Sequence, residues 1–216
     1  MNDLDLLKKD WQKPNTFVQI SEQDIYGMLH KKSSSIVKWI FYVSIIELGL
    51  GLLIGFFLKF TKYDDQGNQL IEKMGLFNYY VVTSVIIYGV VIYFIYNFYK
   101  MYGKISVTDN AKQLILNILK TRKVVKQYIL FNLSTFAILF MILGSFTFHQ
   151  IYLDYWQKNG IVNPEISLNI ILKSSLILIA ITAIFTGVFW FFYKLIYGVL
   201  LKKLQRNYEE LKKIDL

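Results

Sequence analysis

Four runs of about 20 residues, almost free of charge, constrain this chain more than any other feature: Trp39 to Leu58, Phe77 to Phe98, Tyr128 to Phe148 and Ser174 to Tyr193. Each matches the roughly 30 Å hydrocarbon core of a bilayer, where only helices and closed barrels satisfy their own backbone. Composition agrees, since 55% of the 216 residues are hydrophobic and only 18% are charged. The expected fold class is all-α and integral to a membrane. Four transmembrane helices form two tandem hairpins, accompanied by short cytoplasmic amphipathic helices.

Lys and Arg fall unevenly among the connecting segments, and that bias orients a membrane protein during insertion. Residues 1–38, 100–127 and 194–216 hold six, seven and six of them, against two in 61–76 and one in 150–168. Nineteen against three predicts both termini and the middle segment on the cytoplasmic side of a bacterial inner membrane. Aromatic residues such as Trp39, Tyr80, Tyr99, Trp156 and Tyr193 fall near the expected interfaces. The net charge of +9 points to the lipid bilayer and its anionic headgroups rather than to nucleic acid, because the cations flank the spans. The chain has no cysteine, which excludes disulfides and thiolate chemistry. The first 38 residues carry charges of both signs and no apolar run, so no cleavable signal peptide is expected.

The expected organisation runs from N-terminal helices over 1–35, through a first hairpin over 36–103 with spans at about 37–60 and 77–99. An amphipathic helix over 104–127 leads to a second hairpin over 128–198, with spans at about 128–150 and 170–195, and a helix over 199–216 follows. Sliding the chain by 88 residues sets Ile36-Val37-Lys38 over Val124-Val125-Lys126. The ends of the returning spans also match, Phe98-Tyr99-Lys100 against Phe192-Tyr193-Lys194. This reads as an internal duplication, or as the likeness of ends that membrane helices commonly share. Ser21 with Asp24, and Asp109 at the equivalent offset, form helix-start patterns.

Apolar stripes recur at helical spacing in Leu4, Leu7 and Trp11, in Leu114, Ile115, Ile118 and Val125, and in Leu201, Leu204, Tyr208 and Leu211. They serve either a soluble partner or burial against one another. Pro14 stops the first from extending.

Glu47 is the sharpest anomaly, because a carboxylate deep in a bilayer is costly and must face protein or water. At 1.5 Å per residue from the cytoplasmic ends it lies about 13 Å deep, level with Ser134, Thr135 and Thr186, the expected hydrogen-bond partners. It is either a proton or cation site or a strut between helices. Gly51 and Gly55, one and two turns beyond, form a small-x-x-x-small pair suited to close packing. His30 and His149 fall on opposite sides of the membrane and are expected to be solvated, and Asp64 and Asp65 read as turn residues. No nucleophile with a base, carboxylate pair or phosphate-cradling loop occurs, so no enzymatic activity, cofactor or metal is expected.

The stretch from Ile25 to Ile40, with Ile105 to Asp109 and Ile118 to Lys123, resembles a family of four-span inner-membrane proteins of Bacteroidetes-type bacteria with no established activity. Its members sometimes bear the label beta-carotene monooxygenase. Two histidines and no propeller pattern contradict that label, because carotenoid oxygenases hold iron with four histidines. The resemblance implies proximity to extracytoplasmic-function sigma factors, although a zinc-type anti-sigma motif is absent. The expected function is a non-enzymatic membrane regulator or adaptor that holds a soluble cytoplasmic protein, with a membrane anti-sigma-like anchor as its specific version. The alternatives are a small transporter or channel using Glu47, requiring a homo-oligomer, and a structural subunit of a larger membrane complex.

Overall fold

The four apolar runs lie within four helices, and each helix extends well beyond its run. The computed structural model describes residues 21–58, 60, 69, 71–73, 75–106, 110–160 and 166–214, with no strand among them. The helices are α1 (Glu22–Leu58), α2 (Phe77–Ser106), α3 (Ala111–Lys158) and α4 (Leu168–Ile214). Each is long and apolar enough to cross a membrane, which makes this a membrane protein. With 48 and 47 residues, α3 and α4 run for about 70 Å, more than twice the roughly 30 Å hydrocarbon thickness. The segments 104–127 and 199–216, expected as short cytoplasmic helices, are largely continuous with the spans as parts of α2, α3 and α4. The physical reason is plain in the sequence. Both prolines, Pro14 and Pro164, fall outside the four helices, so nothing breaks them where apolar sequence gives way to basic sequence.

Local chemistry sets the helix ends. Ser21 Oγ accepts the Asp24 N–H at 3.1 Å and donates to Asp24 Oδ2 at 2.6 Å. Glu22 and Asp24 also place negative charge on the first turn, where the helix dipole favours it. The N-cap of α3 is Asn110, whose Oδ1 accepts the Lys112 N–H at 2.9 Å. Asp109 lies outside the described residues, as do the stripe of Leu4, Leu7 and Trp11 and the pair Asp64 and Asp65. At the other end of α3, Asn159 is followed by Gly160 at φ +69°, a left-handed stop that glycine adopts without a Cβ penalty.

Helix α1 packs on α2 and α3 on α4, while α1 also lies against α4 and α2 against α3. Partner numbers run in opposite directions across α1 and α4: Ser33 meets Asn207, and Glu47 meets Tyr193. The two helices are therefore antiparallel. The buried core sits in the basic half of the bundle, where Val37, Ile40, Phe98, Ile105, Leu114, Ile118, Val125, Leu204 and Leu211 are wholly enclosed. The stripes of α3 and α4 thus turn inward and share one core. In the apolar windows of the four helices, by contrast, no more than 11% of residues are buried.

Polar side chains inside the bundle are largely satisfied by their own helix. Ser44 Oγ donates to the Phe41 carbonyl at 2.7 Å, Thr121 Oγ1 to Asn117 at 2.8 Å and Thr182 Oγ1 to Leu178 at 2.7 Å. Such back-bonding lets a hydroxyl sit among apolar groups without an unmet donor.

Candidate functional site

Glu47 projects from α1 into a cage of three tyrosines. Tyr128 of α3 donates its hydroxyl to Glu47 Oε2 at 2.9 Å, and Tyr197 of α4 donates to the same oxygen at 3.0 Å. Tyr193 of α4, one turn from Tyr197, donates to Oε1. A single carboxylate thereby joins three helices, and both of its oxygens accept. Each such hydrogen bond contributes on the order of 1 kcal/mol.

The cage is itself packed. The Tyr128 and Tyr197 rings lie 5.9 Å apart, Tyr193 stacks on Tyr197 at 5.8 Å, and Phe94 and Phe98 of α2 each approach Tyr128 at 5.5 Å. Tyr128 and Tyr197 are 1% exposed, so their hydroxyls have no recourse to solvent and donate to Glu47 instead. All four helices contribute to the site, three through hydrogen bonds and α2 through its rings.

The partners expected from depth alone, Ser134, Thr135 and Thr186, are not the ones Glu47 meets. Thr186 Oγ1 is buried without a hydrogen-bond partner, and Ser134 is exposed. Two physical facts account for the difference. Helical side chains lean toward their own N-terminus, so Glu47 leans toward the basic end while Tyr193 and Tyr197, on an antiparallel helix, lean the opposite way to meet it. The ends of the apolar runs, moreover, do not share a common level: Glu47, well inside the first run, meets Tyr128, the first residue of the third. Tyrosine hydroxyls, in addition, stand far from their own Cα, so the depth of a residue along its helix does not single them out.

Gly51 and Gly55 do not mediate close packing within the chain: a Cβ at either would meet nothing within 4 Å. Among the described glycines the one that does is Gly144, where a Cβ would lie 2.5 Å from Leu178 Cδ1. Here α3 and α4 approach closely, and Thr182 Oγ1 reaches Met141 Sδ at 3.3 Å alongside. Gly144 has no small partner at four-residue spacing, so the sequence pattern passes over it.

His30 departs from the expected solvated state. Its Nε2 lies 2.6 Å from the Ile105 carbonyl oxygen, near the C-terminus of α2. A carbonyl only accepts, so Nε2 carries the proton and satisfies one of the carbonyls that a helix end leaves without an intrahelical donor. His149 is exposed and borders a cavity of about 230 Å³ between α3 and α4, with Ser145, Tyr152 and Ser174. Among the described residues no three His, Cys, Asp or Glu side chains are grouped as metal ligands.

An apolar cavity of about 350 Å³ adjoins the cage along the seam between α1 and α4. Val43, Ile46 and Leu50 line it on one side, Phe189, Phe192 and Ile196 on the other, with Glu47, Tyr193 and Tyr197 at its polar edge. The carboxylate is thus approached laterally, from the surface that a bilayer would cover. The chain matches, over residues 23–216, the model of a family described as a domain of unknown function, DUF8845. Neither a curated protein nor a solved structure matches it.

Proposed function

The chain belongs to the DUF8845 family, and from its own geometry we propose a non-enzymatic inner-membrane regulator or adaptor that holds a soluble cytoplasmic partner. In this reading the helices are two tandem hairpins, α1 with α2 and α3 with α4, with both termini in the cytoplasm. The observation that carries it is the packed basic half of the bundle. There α1, α3 and α4 continue beyond the apolar runs as rigid helices around a shared core. Their outward surface carries the exposed cations Lys31, Lys32, Lys112, Lys120, Lys123, Lys202 and Lys203. A partner with an acidic face fits that charge. A sigma factor held by an anti-sigma-like anchor is the specific version that the sequence resemblance suggests.

The Glu47 cage serves this reading as a strut. It ties α1 to α3 and α4 close to the junction of the packed and open halves, so a displacement of the spans is transmitted to the basic half. A second reading, a small oligomeric transporter or channel, draws on the apolar cavity that reaches Glu47. It requires the carboxylate to exchange its tyrosine donors for a proton or cation during each cycle, and a second copy to complete a path. A structural subunit of a membrane complex is the third reading.

Crosslinking in intact cells with a C-terminal tag, followed by mass spectrometry, separates the three. Recovery of a soluble cytoplasmic regulator, lost when Lys112, Lys120 and Lys123 are changed to Glu, supports the adaptor. Recovery of self-copies alone, together with proton or cation flux abolished by Glu47→Gln in a folded protein, would replace it with the transporter. Stoichiometric recovery of other membrane proteins would replace it with the structural subunit.

A further inference from the structure

We propose that the seam between α1 and α4 is a binding site for one anionic phospholipid. Its phosphate lies among Lys31, Lys32, Lys203 and Arg206, and an acyl chain follows the apolar cavity toward Glu47. The inference rests on the membrane placement of the helices and not on the adaptor reading.

Two cavities follow one another along this seam. The first, about 600 Å³, is bordered by Lys31, Lys32 and Trp39 of α1 and by Lys203, Arg206 and Asn207 of α4. The second is the apolar cavity of about 350 Å³ beside the Glu47 cage. On α1 the lining passes from Ile36 and Trp39 in the first to Val43 and Ile46 in the second; on α4 it passes from Leu200 to Ile196. Each step is about one helical turn, so a basic compartment gives way directly to an apolar one. That is the polarity of a phospholipid. The dimensions agree as well: Trp39 to Leu50 covers about 16 Å of helix, close to half of the roughly 30 Å hydrocarbon core.

The charges in the first cavity are available. Among the described residues no carboxylate pairs with Lys31, Lys32 or Lys203, whereas Arg206 Nε is bonded to Glu210 Oε1 at 2.9 Å. The guanidinium retains other N–H groups for a phosphate oxygen. The neighbouring cations Lys38 and Lys194 are placed differently, over the rings of Tyr42 at 5.6 Å and Trp190 at 4.9 Å. Asn207 supplies the one buried polar group at the edge of the cavity. It is 0% exposed, its Nδ2 donates to Ser33 Oγ at 3.0 Å, and its Oδ1 has no partner. Trp39 is 58% exposed beside the cations, the position in which an indole settles at the level of lipid headgroups.

Basic pockets between membrane helices on the cytoplasmic side are known to take anionic headgroups. Here the cations come from two antiparallel helices, so a bound phosphate bridges them and closes the seam that the apolar half leaves open.

The test uses the full-length protein in vesicles of phosphatidylcholine with one-quarter phosphatidylglycerol. The protein is extracted in mild detergent, and native mass spectrometry counts the retained lipids. Two triple variants with the same loss of charge are compared, one with Lys31, Lys32 and Lys203 changed to Gln and the other with Lys202, Lys212 and Lys213 changed to Gln. The expected result is one phosphatidylglycerol per chain, enriched over phosphatidylcholine, reduced at least fivefold in the first variant and unchanged in the second. Equal retention in both variants, or no enrichment over phosphatidylcholine, would overturn the proposal. Displacement of the lipid by millimolar inorganic phosphate would overturn it too, since the site would then belong to a soluble anion. Leu50→Trp, which fills the apolar cavity, is expected to reduce retention without removing any cation; full retention there would refute the acyl-chain half. None of these outcomes depends on a soluble partner, so the adaptor reading and this one fail separately.

Discussion

The two ends of the bundle follow opposite rules. In the basic half, Val37, Phe98, Ile118, Val125 and Leu204 are wholly enclosed, as water requires of large apolar side chains. In the other half, Ile54, Val85, Ile184 and Leu176 stand 59% to 66% exposed, and lipid imposes no such requirement. Association there depends on close approach and polar ties, because hydrocarbon tails are as apolar as leucine. The two ties that stand out match this: the Gly144 contact with Leu178, and the Glu47 cage at the junction of the halves.

The contrast is broken most forcefully by paired truncations. Phe98→Ala removes a fully buried ring from the basic half and is expected to cost about 4 kcal/mol. Ile184→Ala, at a site 65% exposed, is expected to stay within about 0.5 kcal/mol. Unfolding in detergent micelles, followed by circular dichroism against added SDS, measures both. Equal losses would mean that the apolar half buries its side chains after all, against another copy or another protein.

Next in size is the cage. Glu47→Leu leaves the Tyr128, Tyr193 and Tyr197 hydroxyls without their acceptor, two of them on rings closed to solvent. A loss of about 3 kcal/mol is expected, at the upper end of the range for stranded buried donors. Glu47→Gln keeps one accepting oxygen and is expected to lose about half as much. The same micelle titration reads the ordering. A Leu variant as stable as the parent would show that the carboxylate does not join α1 to α3 and α4, and would shift weight toward an ion-handling role.

Much of this architecture is legible in the residues, and its gaps have physical causes. The four apolar runs, the Ser21 cap and the inward stripes of Leu114, Ile118, Leu204 and Leu211 follow from periodicity and capping chemistry, which are local. Glu47 is equally visible, because a carboxylate among twenty apolar residues has few explanations. Its partners are not visible. Which tyrosine reaches it depends on the relative level and rotation of separate helices, and no spacing within one helix encodes either. His30 is missed for the same reason: its acceptor, the Ile105 carbonyl, lies 75 residues away and belongs to a backbone end rather than to any side chain. Continuity of the helices is the converse case. The change from apolar to basic sequence looks like a boundary, yet without Pro the helical hydrogen-bond ladder has no reason to stop.

Glycine gives the finest test of the contrast, because the same substitution is expected to change sign between two positions of the apolar half. Gly55→Ala adds a methyl where nothing lies within 4 Å, and alanine orders a helix better than glycine by up to about 1 kcal/mol. The variant should be slightly more stable. Gly144→Ala adds the same methyl 2.5 Å from Leu178 Cδ1. Leu178, which borders cavities of about 230 and 360 Å³, must turn away and give up its contact with α3, so an overpacking cost of about 2 kcal/mol outweighs the propensity gain. A net loss of about 1 kcal/mol is expected there. Unfolding midpoints in micelles at equal protein concentration compare the two. A destabilised Gly55→Ala whose midpoint also varied with protein concentration would show that the open face of α1 is closed by a second copy, which is the arrangement the transport reading needs.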